Sequence, residues 1–90
     1  MLEAVKRALD VTVEDYDQEI EELIEAALMD MDMAGIDTRE HDDPSIMMAV
    51  KTYCRANFKS PPDYDRLKAW YDEQKGQLQK ATGFTDWGDG

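Results

Sequence analysis

Residues 17–36 read DQEIEELIEAALMDMDMAGI, and the reading of this stretch decides the fold. Ile20, Leu23, Ile24, Ala27, Leu28 and Met31 recur every three or four residues. That is the period of one helix face and not the two-residue alternation of a strand. Acids fill the intervening positions, so the helix is amphipathic and needs a partner surface for its apolar stripe. Thr12 followed by Asp15 reads as a capping-box-like start, and Gly35 as the stop, because glycine takes positive φ freely. The spacing predicts a helix over residues 13–34.

Working outward, three further helices supply that partner surface. Leu2, Val5 and Leu9 place a short helix at 2–9, broken at Asp10. After a polar loop, Asp43-Pro44 opens a helix over 44–58, with Asp43 as cap and Pro44 at the first helical position. Ile46, Met47, Val50, Tyr53, Cys54 and Phe58 line it. Ser60-Pro61-Pro62-Asp63 separates it from a fourth helix over 63–81, which carries Tyr64, Leu67, Trp70, Tyr71 and Leu78. Residues 82–90 hold three glycines and no periodicity, and are expected to form a flexible tail. The expected architecture is therefore all-α: a four-helix domain over 1–81 with a C-terminal tail. Ile20, Leu23, Leu28, Ile46, Val50, Tyr53, Leu67 and Trp70 are its expected core.

The composition narrows the function. Ninety residues make one domain, 42% of it hydrophobic. A chain this short buries a modest share of its surface and gains from a partner. The longest apolar run is Ile46 to Val50, too short to cross a membrane, and the first residues lack the pattern of a secretory leader. The net charge is −11, which disfavours a phosphate-binding module. That charge is uneven: residues 10–43 carry fourteen acids against Arg39 alone, whereas residues 44–80 are net +3. Acidic and basic faces of neighbouring copies can then meet. Glu21, Glu22 and Glu25 are the candidates on one side, and Arg55, Lys59, Arg66 and Lys68 on the other.

Catalytic and metal motifs fail on inspection. Asp30, Asp32 and Gly35 fall at calcium-loop positions one, three and six, but Ala34 and His41 stand where two ligands belong. Cys54 sits on an apolar helix face and reads as structural rather than as a nucleophile paired with His41. No glycine-rich phosphate loop is present. The chain is expected to be no enzyme and to need no cofactor or metal. Two features stay unabsorbed by the core. Met29, Met33 and Met48 lie off the main stripes, and flexible thioethers suit adaptable contacts. Phe84 and Trp87 stand among glycines and acids in the tail, where exposed aromatics dock onto partners.

The order MLEAVKRAL, DQEIEELIEAALMDMDMAGI, DPSIMMAVKTYCRANF, DYDRLKAWYDEQKGQL resembles the small head–tail connector proteins of long-tailed bacteriophages, also described as DNA-packaging or head-completion proteins. The resemblance covers about residues 1–81. It rests on the run from Asp17 to Ala27, the start from Asp43 to Val50, and the Ala56-Asn57-Phe58 end. It implies a virion subunit that forms a ring, usually twelve-fold, below the portal. Such a ring extends the DNA channel, lets DNA pass without sequence-specific binding, and docks the next neck or tail-completion protein. It also implies a location at the neck of the virion, reached from the host cytoplasm during assembly, and no membrane partner. The C-terminal segment is implied to meet the portal, so Phe84, Trp87, Asp86 and Asp89 are the docking candidates, ordering there from a mobile free state. Two readings from other classes remain open: an acidic DNA mimic that inhibits a DNA-binding protein, and a small cytoplasmic helical adaptor.

Overall fold

The computed structural model describes residues 1–39 and 43–87, the side chains of 81–87 excepted. Four helices follow in order: α1 (Leu2–Leu9), α2 (Asp17–Met33), α3 (Pro44–Asn57) and α4 (Tyr64–Trp87). Among the described residues there is no strand.

Local chemistry accounts for most of the boundaries. Asp43 caps α3 as its sequence requires, with its carboxylate accepting from the Ser45 backbone N–H at 2.8 Å and Pro44 in the first turn. Both α1 and α2 end in the same motif. The Val11 N–H donates to Lys6 O at 2.9 Å past Asp10 (φ 62°), and the Ile36 N–H donates to Met31 O at 3.0 Å past Gly35 (φ 89°). Each left-handed residue lets the chain reverse while it satisfies a carbonyl the helix leaves open. Ile36 and Met31, joined by the second motif, are both buried.

Two boundaries differ from expectation. α2 begins at Asp17, four residues late, and Thr12 forms no capping box. The turn at 13–16 is held instead by tertiary contacts. Tyr16 packs edge-on against Phe58 with ring centroids 5.5 Å apart, and Lys6 Nζ reaches Asp17 Oδ1 at 2.7 Å. The Lys6 ammonium, whose side chain is itself nearly inaccessible, is held above its usual range, chiefly by that contact with Asp17. The second correction concerns the C-terminus. α4 runs on to Trp87 rather than ending at 81, so residues 82–87 continue the helix instead of forming an irregular tail. No proline interrupts them, and one interior glycine costs only about 1 kcal/mol. Gly88 to Gly90 lie outside the described residues.

α3 is the central element: α1, α2 and α4 all pack against it. The core holds Val5 of α1, Ile20, Ile24, Ala27 and Met31 of α2, Ile46, Ala49, Val50 and Cys54 of α3, and Leu67 and Tyr71 of α4. Of the expected core, Ile20, Ile46, Val50 and Leu67 are buried, and Leu23, Leu28 and Tyr53 pack at its edge. Trp70 is a correction: it is 42% exposed. α4 buries the line Leu67–Tyr71, with Leu78 partly buried beyond it. Trp70 is rotated about 60° from Leu67 at 100° per residue and lands on the helix flank.

Candidate functional site

α4 lies in the groove of α3 with two flanks, and they are built differently. On one flank Asp30 of α2 is clamped from α4. The Tyr71 hydroxyl donates to Asp30 Oδ2 at 2.7 Å, and Lys75 Nζ donates to the same oxygen at 3.0 Å. Tyr53 of α3 stacks edge-on against Tyr71 at 5.2 Å. The Tyr71 hydrogen bond, more than the Lys75 ammonium, holds the Asp30 carboxyl below its usual range. Burial, with Asp30 opposite, pushes the Tyr71 phenol well up. A small cleft of about 200 Å³ remains beside Tyr64 and Lys68. Asp30, Tyr71 and Lys75 are paired with one another and Lys68 with Asp72, so the flank fastens α2 to α4.

The other flank is open and mixed in character. Met48 and Ser45 of α3 face Trp70, Gln74, Gln77 and Leu78 of α4 across a groove of about 330 Å³. Met48 is 54% exposed. Lys51 and Arg55 follow Met48 on the same outer strip of α3, and α3 contains no acid. Among the described residues neither Lys51 nor Arg55 forms a salt bridge, although Arg55 shares a cleft with Asp63 and, after Arg66, helps to hold its carboxyl below the usual range.

α2 presents the opposite chemistry. Its core face carries Ile20, Ile24, Ala27 and Met31, and its outer face carries Glu22, Ala26, Met29 and Met33. Met29 is 64% and Met33 81% exposed. The helix contains Asp17, Glu19, Glu21, Glu22, Glu25, Asp30 and Asp32, and no lysine or arginine. The methionines that sequence periodicity set apart from the core are thus all at the surface.

The remaining expected residues divide as follows. Glu21, Glu22 and Glu25 are exposed and form no ion pair among the described residues. Of the four bases placed opposite them, three already have partners within the chain. Arg66 pairs with Asp63 at 2.7 Å, Lys68 with Asp72 at 3.0 Å, and Lys59 Nζ donates to the Tyr16 hydroxyl at 2.7 Å. Phe84, Asp86 and Trp87 belong to the last turns of α4, their side chains lying outside the described residues, and Asp89 lies outside them altogether. Asp30 and Asp32, the would-be calcium ligands, are turned to Tyr71 and to the Thr38 hydroxyl respectively. No cluster of metal-ligating side chains occurs among the described residues, and none of their helices is long and apolar enough to cross a membrane. Cys54 is fully buried, and burial pushes its thiol up to about 12, so it is inert as a nucleophile at neutral pH. Sequence reasoning missed the Asp30–Tyr71–Lys75 clamp, because Asp30 lies 41 and 45 residues from Tyr71 and Lys75 and no local pattern links them.

A family model described as "Phage connector protein" matches residues 1–84. No curated protein and no solved structure gives a significant match.

Proposed function

We propose, because this chain belongs to the phage connector proteins, that it is a structural subunit of the virion neck. Copies assemble as a ring, twelve in the reading carried from the family resemblance, below the portal at the capsid vertex. The ring continues the DNA channel and offers its far side to the next neck or tail-completion protein. The observation that carries this reading is the family match over nearly the whole chain. The physical features agree with it. A small helical domain with apolar groups left at its surface gains stability from contacts with copies of itself, and contacts between unlike faces close into rings. Acids along the channel wall let DNA slide, since no counterions are released by contact with them.

The C-terminal end of α4 meets the portal in this reading. Phe84 and Trp87, three residues apart on one helix, are its anchors, and Asp86 and Asp89 favour a basic rim around them. A single short anchor binds weakly, and a ring multiplies it by avidity. Acidic α2 faces basic α3 and α4 residues of the neighbouring copy, with Glu21, Glu22 and Glu25 against Arg55 foremost, since Lys59, Arg66 and Lys68 are engaged within their own chain.

The test is complementation of portal-bearing heads that lack this protein. Addition of the full chain restores tail joining, and particle images show a ring of added density below the portal. The chain truncated after Ala81 stays helical and fails to attach. Heads that join tails equally well without the protein would overturn the reading. A DNA mimic, favoured by the charge of −11, predicts instead a monomer or dimer that binds a nuclease or other DNA-binding protein and leaves the heads unchanged.

A further inference from the structure

The outer face of α2 carries exposed methionines and acids, the open groove between α3 and α4 carries Met48 and Trp70 with Lys51 and Arg55 on the strip beside it, and we propose that they are the two halves of one contact between neighbouring copies. In this contact Met29 and Met33 of one copy lie in the Met48–Trp70 groove of the next. The inference rests on the reading that the protein assembles with itself, and adds which surfaces meet and in what register.

The argument begins with helix geometry. At 100° per residue, Met29 and Met33 fall within about 20° of Glu22 around α2, with Ala26 at about 40°. Ile20, Ile24, Ala27 and Met31 fall about 140–200° away. The methionine ridge therefore points straight away from the chain's own core and cannot fold back onto it. The groove is equally unable to reach the ridge of its own chain, because Met48, Lys51 and Arg55 form the outer strip of α3.

The two strips match in spacing. On α2, Glu25 and Glu22 precede Met29 by four and seven residues. On α3, Lys51 and Arg55 follow Met48 by three and seven residues. Laid antiparallel with Met29 on Met48, α2 brings Glu25 beside Lys51 and Glu22 beside Arg55, about 10 Å further along both helices. Met33 then reaches the Ser45–Gln77–Leu78 end of the groove. The opposite register, parallel, would carry the glutamates past Met48 to the start of α3, where no base stands. Thioethers suit the task because they adapt to the irregular floor beside Trp70. The charges fix direction, and the apolar strip excludes water around them. Ridge and groove are different surfaces of one chain, so each copy offers one of each and the contact propagates head to tail, which is the geometry of a ring.

The test uses a chain carrying both Met29→Cys and Met48→Cys, with Cys54 left buried in its place. Under mild oxidation the double variant gives a ladder of multiples of 10.3 kDa on non-reducing gels, in free protein and on portal-bearing heads. A Met29→Cys/Lys68→Cys control, whose second site is on the closed flank, gives none. Independently, Glu25→Lys abolishes assembly, and Lys51→Glu added to it restores assembly. A protein that assembles with no ladder, or with a ladder equal to the control's, overturns the proposed contact and leaves the connector reading standing. A protein that neither assembles in solution nor joins portal-bearing heads overturns both.

Discussion

The two flanks of α4 show opposite ways of finishing a helix–helix seam. On the closed flank, Asp30, Tyr71 and Lys75 complete one another inside the chain at 2.7 and 3.0 Å. On the open flank, Met48 and Trp70 stay at the surface, 54% and 42% exposed, with no described partner element to cover them. A half-buried carboxylate that has lost part of its water is stabilised by partners close at hand in its own chain. Exposed methionine and tryptophan carry no such demand and can wait for a partner. The difference separates residues that maintain the fold from residues free to serve assembly, and substitutions on the two flanks should separate in the same way.

The sharpest break comes from two neighbours in sequence. Leu67 is 2% exposed and central to the α4 stripe. Leu67→Ala should lower stability by about 2–5 kcal/mol, a large share of the roughly 5–15 kcal/mol a small domain possesses. Trp70→Ala, though it removes a larger side chain, should cost less, about 1–2 kcal/mol, because Trp70 is 42% exposed and leaves no enclosed cavity. Trp70→Ala should instead remove self-association. Urea unfolding and native mass measured on the same two variants check both halves. Equal destabilisation by the two would show that the open flank is part of the core.

Next in size is Tyr71→Phe, which keeps the ring and deletes the hydrogen bond to Asp30. A hydrogen bond to a charged group contributes about 1.5–3 kcal/mol when buried. Asp30 is partly exposed and keeps Lys75, so a loss of about 1–2 kcal/mol is expected by urea unfolding, with assembly unchanged. A loss of assembly at retained stability would assign the closed flank a docking role and dissolve the contrast.

How far this arrangement was legible in the sequence follows from where its determinants lie. α1 and α3 were readable to within a residue because their signals are local: a three-residue apolar spacing, and Asp43-Pro44 written at the helix start. The Gly35 stop was local too. The start of α2 was not, since Tyr16 and Asp17 are set by Phe58 and Lys6, distant in the chain or in another helix. Trp70 was misplaced because hydrophobicity alone assigns a tryptophan inward, while the angle between Leu67 and Tyr71 puts it on the flank. The methionine ridge was legible as an off-stripe set, but its facing groove needs α3 and α4 docked before Met48 and Trp70 become neighbours. The clamp joins residues 30, 71 and 75, and no local pattern announces it.

Acid titration gives a smaller effect with a defined sign. The folded-state pKa of Asp30 is depressed below its ordinary 3.8, first by Tyr71 and then by Lys75. The stabilisation is therefore fully present above the ordinary value and is lost as pH falls from there through the folded value. Tyr71→Phe removes the main cause of the depression. Between about pH 5 and pH 2 the variant should lose less stability than the parent chain, so the two urea midpoints converge on acidification. Midpoints that stay parallel across this range would mean that the phenol does not stabilise the Asp30 charge.

The smallest expected effect is the most discriminating for assembly. Lys68 and Lys51 are both cations on the surface of the α3–α4 pair. Lys68 is bound to Asp72 one helical turn away, on the closed flank, whereas Lys51 stands beside Met48. Exposed pairs of this kind contribute little to stability, because two long side chains lose freedom for a screened attraction. Lys68→Ala should leave the unfolding midpoint within experimental scatter, and Lys51→Ala should do the same. Their effects on assembly should differ: Lys51→Ala slows it and reduces its dependence on salt, and Lys68→Ala changes neither, since its charge is already answered within the chain. Light scattering followed over a salt series reads both quantities. If Lys68→Ala altered the salt dependence as much as Lys51→Ala, the neighbouring copy would be sensing the overall positive charge of α3 and α4, and the open groove would hold no privileged place in recognition.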